Sequence, residues 1–229
     1  MSYTKQTFEQ IINSVGIIQK NTIEDNDLSL FLEYLNTLME IRDNIILKDK
    51  ELDFYWNEII SDSISAIYSA ISGQYRIAIS GIRNIFELSC HAFYYYDHKI
   101  ELRLFINENN KADKYVSNLV KNHDFFTTIY IKTFYSNIES IQFKDNSLSE
   151  RLVYTYSKLC DVVHGRFNTL TKKNSLEIVY NKTYLKNFET AFKEVIQLIC
   201  CMYILRFNDF SNKSLNKLAA KSNTIKIIK

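Results

Sequence analysis

A chain of 229 residues with no proline and only four glycines lacks the two residues on which tight turns depend. Average usage at this length would supply roughly 11 prolines and 16 glycines. Sandwiches and barrels turn repeatedly, and those turns draw on Gly and Pro. An all-β fold, a collagenous repeat and a Pro-rich or Gly-linker segment are therefore excluded. The glycines themselves (Gly16, Gly73, Gly81 and Gly165) are too scattered for a dinucleotide-binding fingerprint, a P-loop or a G-x-S-x-G nucleophile elbow, each of which needs close spacing.

What remains is helical periodicity, and it runs nearly throughout. A first helix is expected over about Thr4–Lys20. A second follows Asp27, a good N-cap, with Leu28, Phe31, Leu32, Leu35, Leu38, Met39, Ile45 and Ile46 on one stripe. A third covers about Glu51–Ser72, where Ala66, Ala70 and several serines invite close packing. Gly73 marks a corner, and a fourth helix spans about Gln74–Asp97. Short helices or loops fill Glu101–Lys121. Phe125–Ile138 reads as another helix, with a strand as the alternative. Ser147 and Glu150 form a capping box opening a helix that ends at Gly165, a natural C′ position. Asn168–Asn181 reads as a polar loop, its apolar run Leu176–Tyr180 extended. A last long helix is expected over about Thr183–Phe207, apolar all round after Val195 and so central or at a subunit interface. The fold class is an all-α helical bundle: a single domain over 1–210 with its core at about 51–207, then a basic tail over 211–229.

Composition narrows the function classes. Net charge is +2, which makes no whole-chain case for nucleic acid. The five lysines after Ser211, with no acid among them, make the tail the one strongly basic stretch. Cys90, Cys160, Cys200 and Cys201 show no C-x-x-C or zinc-ribbon spacing and read as reduced, buried thiols of a cytoplasmic protein. His91, His98, His123 and His164 form no metal motif, so no metal and no cofactor is expected. Met1–Gln10 is polar, unlike a signal peptide. The longest apolar stretch, Val195–Leu205, falls well short of the ~20 residues that span a bilayer, and no membrane association is expected.

One constellation carries chemistry. Arg76, Ser80, Arg83, Glu87, Cys90 and His91 recur at steps of three and four, on one face of the fourth helix opposite Ile82, Ile85, Phe86 and Ser89. Two readings stand: a structural i,i+4 ion pair, with Arg83 before Glu87 in the weaker orientation, or a functional cluster. In the helix after Ser147, Ser157, Asp161 and His164 share a face. The carboxylate there could orient the imidazole as a base needs, or His164 could simply serve the helix dipole at its C-terminus.

Taken together, Ala78, Gly81, Arg83 and Glu87, followed about 70 residues later by Tyr156, Leu159, His164 and Gly165, give a pattern that resembles bacterial HEPN-type helical proteins, including abortive-infection and defence-associated members. The resemblance covers about Glu51–Phe207 and implies a long helical hairpin core. It also implies either metal-independent RNA cleavage or a non-catalytic module that binds a partner protein, nucleotide or RNA. HEPN ribonucleases carry an Arg, a polar neighbour and then a His four to six residues on. Here Arg83–Asn84 opens the pattern and His91 follows after seven intervening residues, a spacing that favours the binding module. In the catalytic reading, His164 or His91 would act as base or acid and Arg83 would hold phosphate, with Glu87 and Asp161 as their partners. Arg76, Tyr156, Arg166, Lys213 and Lys217 are the expected binding residues. The partners implied are a second copy of the chain, packed through Ile196–Leu205 or the helix ending in Tyr94–Tyr96, RNA or nucleotide, and a cognate antitoxin or other defence-system protein.

Overall fold

The computed structural model describes residues 4–108, 114–136, 147–164 and 178–225. Of these residues, 81% are helical, in ten α-helices and one short 3₁₀ turn, with no strand among them. The chain is an all-α bundle.

The helices are α1 (Lys5–Asp25), α2 (Ser29–Ile46), α3 (Asp53–Ile71), α4 (Tyr75–Asp97), α5 (Lys99–Glu108), α6 (Val116–His123), α7 (Thr128–Lys132), α8 (Leu148–Val163), α9 (Lys182–Phe207) and α10 (Lys213–Ala220). The N-cap of α2 is Leu28, which makes no side-chain cap hydrogen bond, and not Asp27 as the sequence suggests; the Asp27 carboxylate accepts from the Ser29 N–H at 2.9 Å just ahead of the helix. Ser147 and Glu150 close a reciprocal capping box at α8, satisfying two donors that the helix leaves unpaired.

α9 is the axis of the bundle. It packs against α2, α3, α4, α8 and α10, and every residue from Val195 to Leu205 is buried, Gln197 included. Each fully buried aliphatic side chain contributes about 1.5–3 kcal/mol relative to exposure. The all-round apolar character of Ile196–Leu205, read from sequence as a surface for a second copy, is thus consumed within one chain, and so are Tyr94 and Tyr95. The exposed apolar side chains lie elsewhere, notably Phe8, Ile12 and Ile17 on α1.

α3 and α4 form the most extensive helix pair. Gly81 makes this approach: a Cβ there would come within 2.9 Å of the Ala66 Cβ. The corner between the two helices is Gly73, at φ +76°, and a Cβ on it would stand 2.7 Å from the Val179 carbonyl oxygen. The strip just before α9 therefore lies directly on the corner. It is tied there by the Asn181 N–H donating to the Tyr75 hydroxyl at 3.0 Å and by Asn26 donating to the Tyr180 hydroxyl at 3.1 Å.

Two expectations are corrected. The helix read over Phe125–Ile138 is a single short one, Thr128–Lys132, because Phe125 and Phe126 are drawn into the core and Phe126 turns left-handed at φ +53°. Ile138 lies outside the described residues. The basic tail does not leave the domain at 210. Leu215, Leu218, Ala219, Thr224 and Ile225 are buried, and the Cys201 thiol packs within 3.3 Å of the Ser222 and Thr224 hydroxyls.

Candidate functional site

The site is the seam between α4 and α8. Arg76, near the start of α4, donates to the carbonyl of Val163, the last residue of α8, at 3.3 Å. Seven residues further along α4, the Arg83 guanidinium lies over the ring of Tyr156, 5.8 Å from its centroid. Tyr156 is itself seven residues before Val163, so the two helices run antiparallel and keep register over two turns, about 10 Å.

Arg83 and Glu87 form an ion pair at 2.9 Å, with 16% and 19% of their side chains exposed. Burial opposes the guanidinium charge, but the Tyr156 hydroxyl and the Glu87 carboxylate outweigh it and hold the Arg83 pKa above its ordinary value. Burial raises the pKa of the Tyr156 phenol, against the pull of Arg83. The Arg83 Nε is enclosed with no acceptor among the described residues, an arrangement that costs about 1–3 kcal/mol for a buried donor. Ile82, Ile85, Phe86 and Ser89 on the opposite side of α4 are fully buried, as is Cys90. Cys90 therefore belongs to the core and leaves the polar row.

The histidines do not join this pair. His164 is exposed at the C-cap of α8, its backbone N–H donating to the Cys160 carbonyl at 2.9 Å. It follows Val163 directly and so stands at the Arg76 end of the seam, two turns from Arg83. Asp161, half-buried, lies one turn before it. His91 turns out of the seam altogether: its Nε2 meets the Lys114 carbonyl at 3.0 Å and its ring lies against Tyr55 and Tyr95. Arg166 and Gly165 lie outside the described residues.

Lys213 and Lys217 stand with Lys221 on the exposed face of α10. That helix packs on α9, and its cap residue Asn212 donates to Glu40 of α2 at 2.5 Å. The lysine row is therefore not part of the α4–α8 seam.

Sequence reasoning missed a denser cluster at the far end of α4. The Tyr94 hydroxyl donates to Glu101 at 2.9 Å and meets His123 Nδ1 at 3.2 Å. Lys114 pairs with Glu101 at 2.7 Å, and the His98 ring stacks on Tyr94 at 3.9 Å. Tyr94, His98 and Glu101 follow i, i+4, i+7 spacing, a signal that was readable; nothing in the sequence marked Lys114 or His123 as their partners. Among the described residues, no group of three or more metal-ligating side chains converges. No helix among them is long and apolar enough to cross a membrane.

The seam carries the Arg76 guanidinium and the Arg83–Glu87 ion pair, with the exposed His164 at the Arg76 end and two turns from Arg83. Such an arrangement can hold an anion; it brings no imidazole to Arg83, and the guanidinium at the His164 end is that of Arg76. No protein-family model matches the chain, and comparison with curated proteins and with solved structures finds no match.

Proposed function

We propose that this protein is a non-catalytic, HEPN-like helical module that binds a phosphate-bearing ligand, RNA or nucleotide, along the α4–α8 seam. The observation that carries this reading is the separation just described. Arg76 and Arg83 point to the same seam, while His91 is committed to Lys114 and His164 stands at the opposite end from Arg83. A metal-independent ribonuclease built on Arg83 needs an imidazole on the same phosphate, and the guanidinium beside His164 is that of Arg76, which donates to the Val163 carbonyl. A binding module needs only the guanidinium groups, and Arg is suited to phosphate oxygens by its planar fork.

The test is fluorescence anisotropy with a short single-stranded RNA and with a labelled nucleoside triphosphate. Binding is expected to weaken as salt rises. Arg76→Gln and His164→Ala are each expected to reduce affinity by about tenfold, the scale of one lost charged contact. No RNA cleavage is expected between pH 5 and 9. Failure of both probes to bind, or unchanged binding by both variants, would overturn the proposal. Cleavage that survives EDTA and disappears in His164→Ala would replace it with the ribonuclease reading.

A further inference from the structure

The bundle covers α1 along only half its length. The buried residues of this helix are Ile18 and Thr22, and the Gln19 amide donates to the hydroxyl of Ser72, at the end of α3, at 2.8 Å. From Lys5 to Ser14 every residue but Thr7 is exposed. A helical segment of that length holds itself poorly in water without a packed neighbour. Yet it carries Phe8 and Ile12, 62% and 67% exposed, and the exposed Ile23 continues the same strip. At about 100° of rotation per residue these three side chains form one line along α1, beside the docked face rather than on it.

The charges along this line are ordered. Lys5, Glu9, Lys20 and Glu24 border it on the side away from the bundle, pairing within the helix as Lys5–Glu9 and Lys20–Glu24, both at 3.8 Å. All four side chains are strongly exposed, and Lys before Glu at this spacing is the weaker orientation, so neither pair holds its partners firmly. Read from the N-terminus, the signs run plus, minus, plus, minus. When a second α1 is laid antiparallel, with a two-fold axis between Ser14 and Val15, Lys5 of each copy meets Glu24 of the other and Glu9 meets Lys20. Two separate charge pairs thus share one axis. The same axis brings Phe8 of each copy onto Ile23 of the other, about half a turn from direct opposition. A parallel arrangement leaves the two charged borders on opposite sides of the pair, where they cannot meet.

We propose that α1 is the self-association surface of this protein, two copies of the chain meeting in an antiparallel helix pair whose axis passes between Ser14 and Val15. The contact is isologous and closed by its own symmetry. α1 has 21 residues, about 31 Å of helix. In the pair, the free N-terminal half of each copy lies along the outer side of the docked half of the other. Each copy therefore supplies the packed neighbour that the projecting segment of the other lacks. The balanced signs of the border, Lys5 and Lys20 against Glu9 and Glu24, suit a second copy better than an anionic lipid surface, which an interfacial helix meets with an excess of lysine or arginine.

The test is sedimentation velocity of the full chain across the micromolar range, where a species of twice the 27.0 kDa chain mass is expected to grow with concentration. Phe8→Ser/Ile12→Ser alters only exposed positions, so its helical circular dichroism should be unchanged while its dimer dissociation constant rises by about a hundredfold. Glu9→Lys and Lys20→Glu each set like charges together in their own homodimer and should each weaken it by about tenfold. In an equimolar mixture of these two variants, position 9 of one copy again faces the opposite sign at position 20 of the other on both sides of the axis, and the mixture should associate as tightly as the native protein. A native chain that stays monomeric throughout would overturn the proposal, as would a dimer indifferent to Phe8→Ser/Ile12→Ser. Charge variants that do not rescue each other on mixing would overturn the antiparallel register. A monomeric chain that floats with phosphatidylserine vesicles would assign the strip to a lipid surface instead.

Discussion

The guanidinium of Arg206 closes on the carboxylate of Asp97, Nε lying 2.9 Å from Oδ1 and 3.0 Å from Oδ2. This joins the C-terminal ends of α9 and α4, 109 residues apart in sequence. Tyr130 of α7 donates to the same carboxylate at 2.5 Å, and the rings of Tyr96, Phe134 and Phe207 lie around the cation. Both charged side chains are 18% exposed. Asp97→Ala leaves Arg206 enclosed and unpaired, and is expected to cost about 3 kcal/mol. Tyr130→Phe removes one bond to a charged group, at about 1.5 kcal/mol. Urea denaturation of the two variants checks both the order and the size.

The glycines supply a second test with an internal control. Gly73→Ala meets both a positive φ and the Val179 carbonyl, and is expected to destabilise by more than about 2 kcal/mol. Gly81→Ala presses on Ala66, an overpacking cost of about 1–3 kcal/mol. Gly16 lies inside α1, and a Cβ on it would meet nothing within 4 Å, so Gly16→Ala should stabilise by about 0.5–1 kcal/mol. In thermal melts the first two variants should therefore fall below the native protein and the third rise above it.

Stability should also depend on pH in a definite direction. His91 and His123 are both held below the ordinary imidazole value of 6.5. The unfolded chain then binds more protons than the native one as the pH drops through that value. The contribution of the two neutral rings is complete above it and is lost progressively below it, down to the depressed native values. The melting temperature is expected to fall by a few degrees between pH 7.5 and 5.5, since about 1 kcal/mol corresponds to 2–4 °C at this size. A melting temperature that rises on acidification would contradict this assignment.

Thiol chemistry should separate the four cysteines. Cys90, Cys200 and Cys201 are buried, and burial raises all three thiol pKa values, that of Cys201 to about 11. Cys160 alone is half-exposed. Titration with a thiol reagent should count one reactive group in the native protein and four after denaturation.

How far these features could be read from the sequence varies with the kind of interaction involved. Helix existence was legible because periodicity and caps are local: Ser147 and Glu150 act where their spacing places them, while the α2 cap falls at Leu28, one residue past Asp27. Gly73 and Gly81 could be marked as special positions, although their partners, Val179 and Ala66, could not be named. Phe125 and Phe126 misled the reading, since their apolar pattern suits a helix and only the pocket formed by Phe93 and its neighbours turns them into a bend. The polar row on α4 was legible as a row. Which helix each member faces was not, because about 100° of rotation per residue lets Arg83 and His91 lie close in sequence while meeting different neighbours. The Tyr94 cluster joins groups from segments 20 to 29 residues apart, and no local pattern records such a meeting.

The position of α9 at the axis of the bundle has a consequence for how the protein is made. Ribosomal synthesis delivers α2, α3, α4 and α8 before the helix they enclose. Until Phe207 has emerged, the inner faces of those helices have no common partner, and the growing chain carries a large apolar surface in water. A fragment comprising residues 1–164 is therefore expected to remain uncompacted and sensitive to protease, whereas a chain reaching Ile225 resists it. Folding of this protein is a late event in its synthesis, set off by the arrival of one helix and secured by the short one behind it.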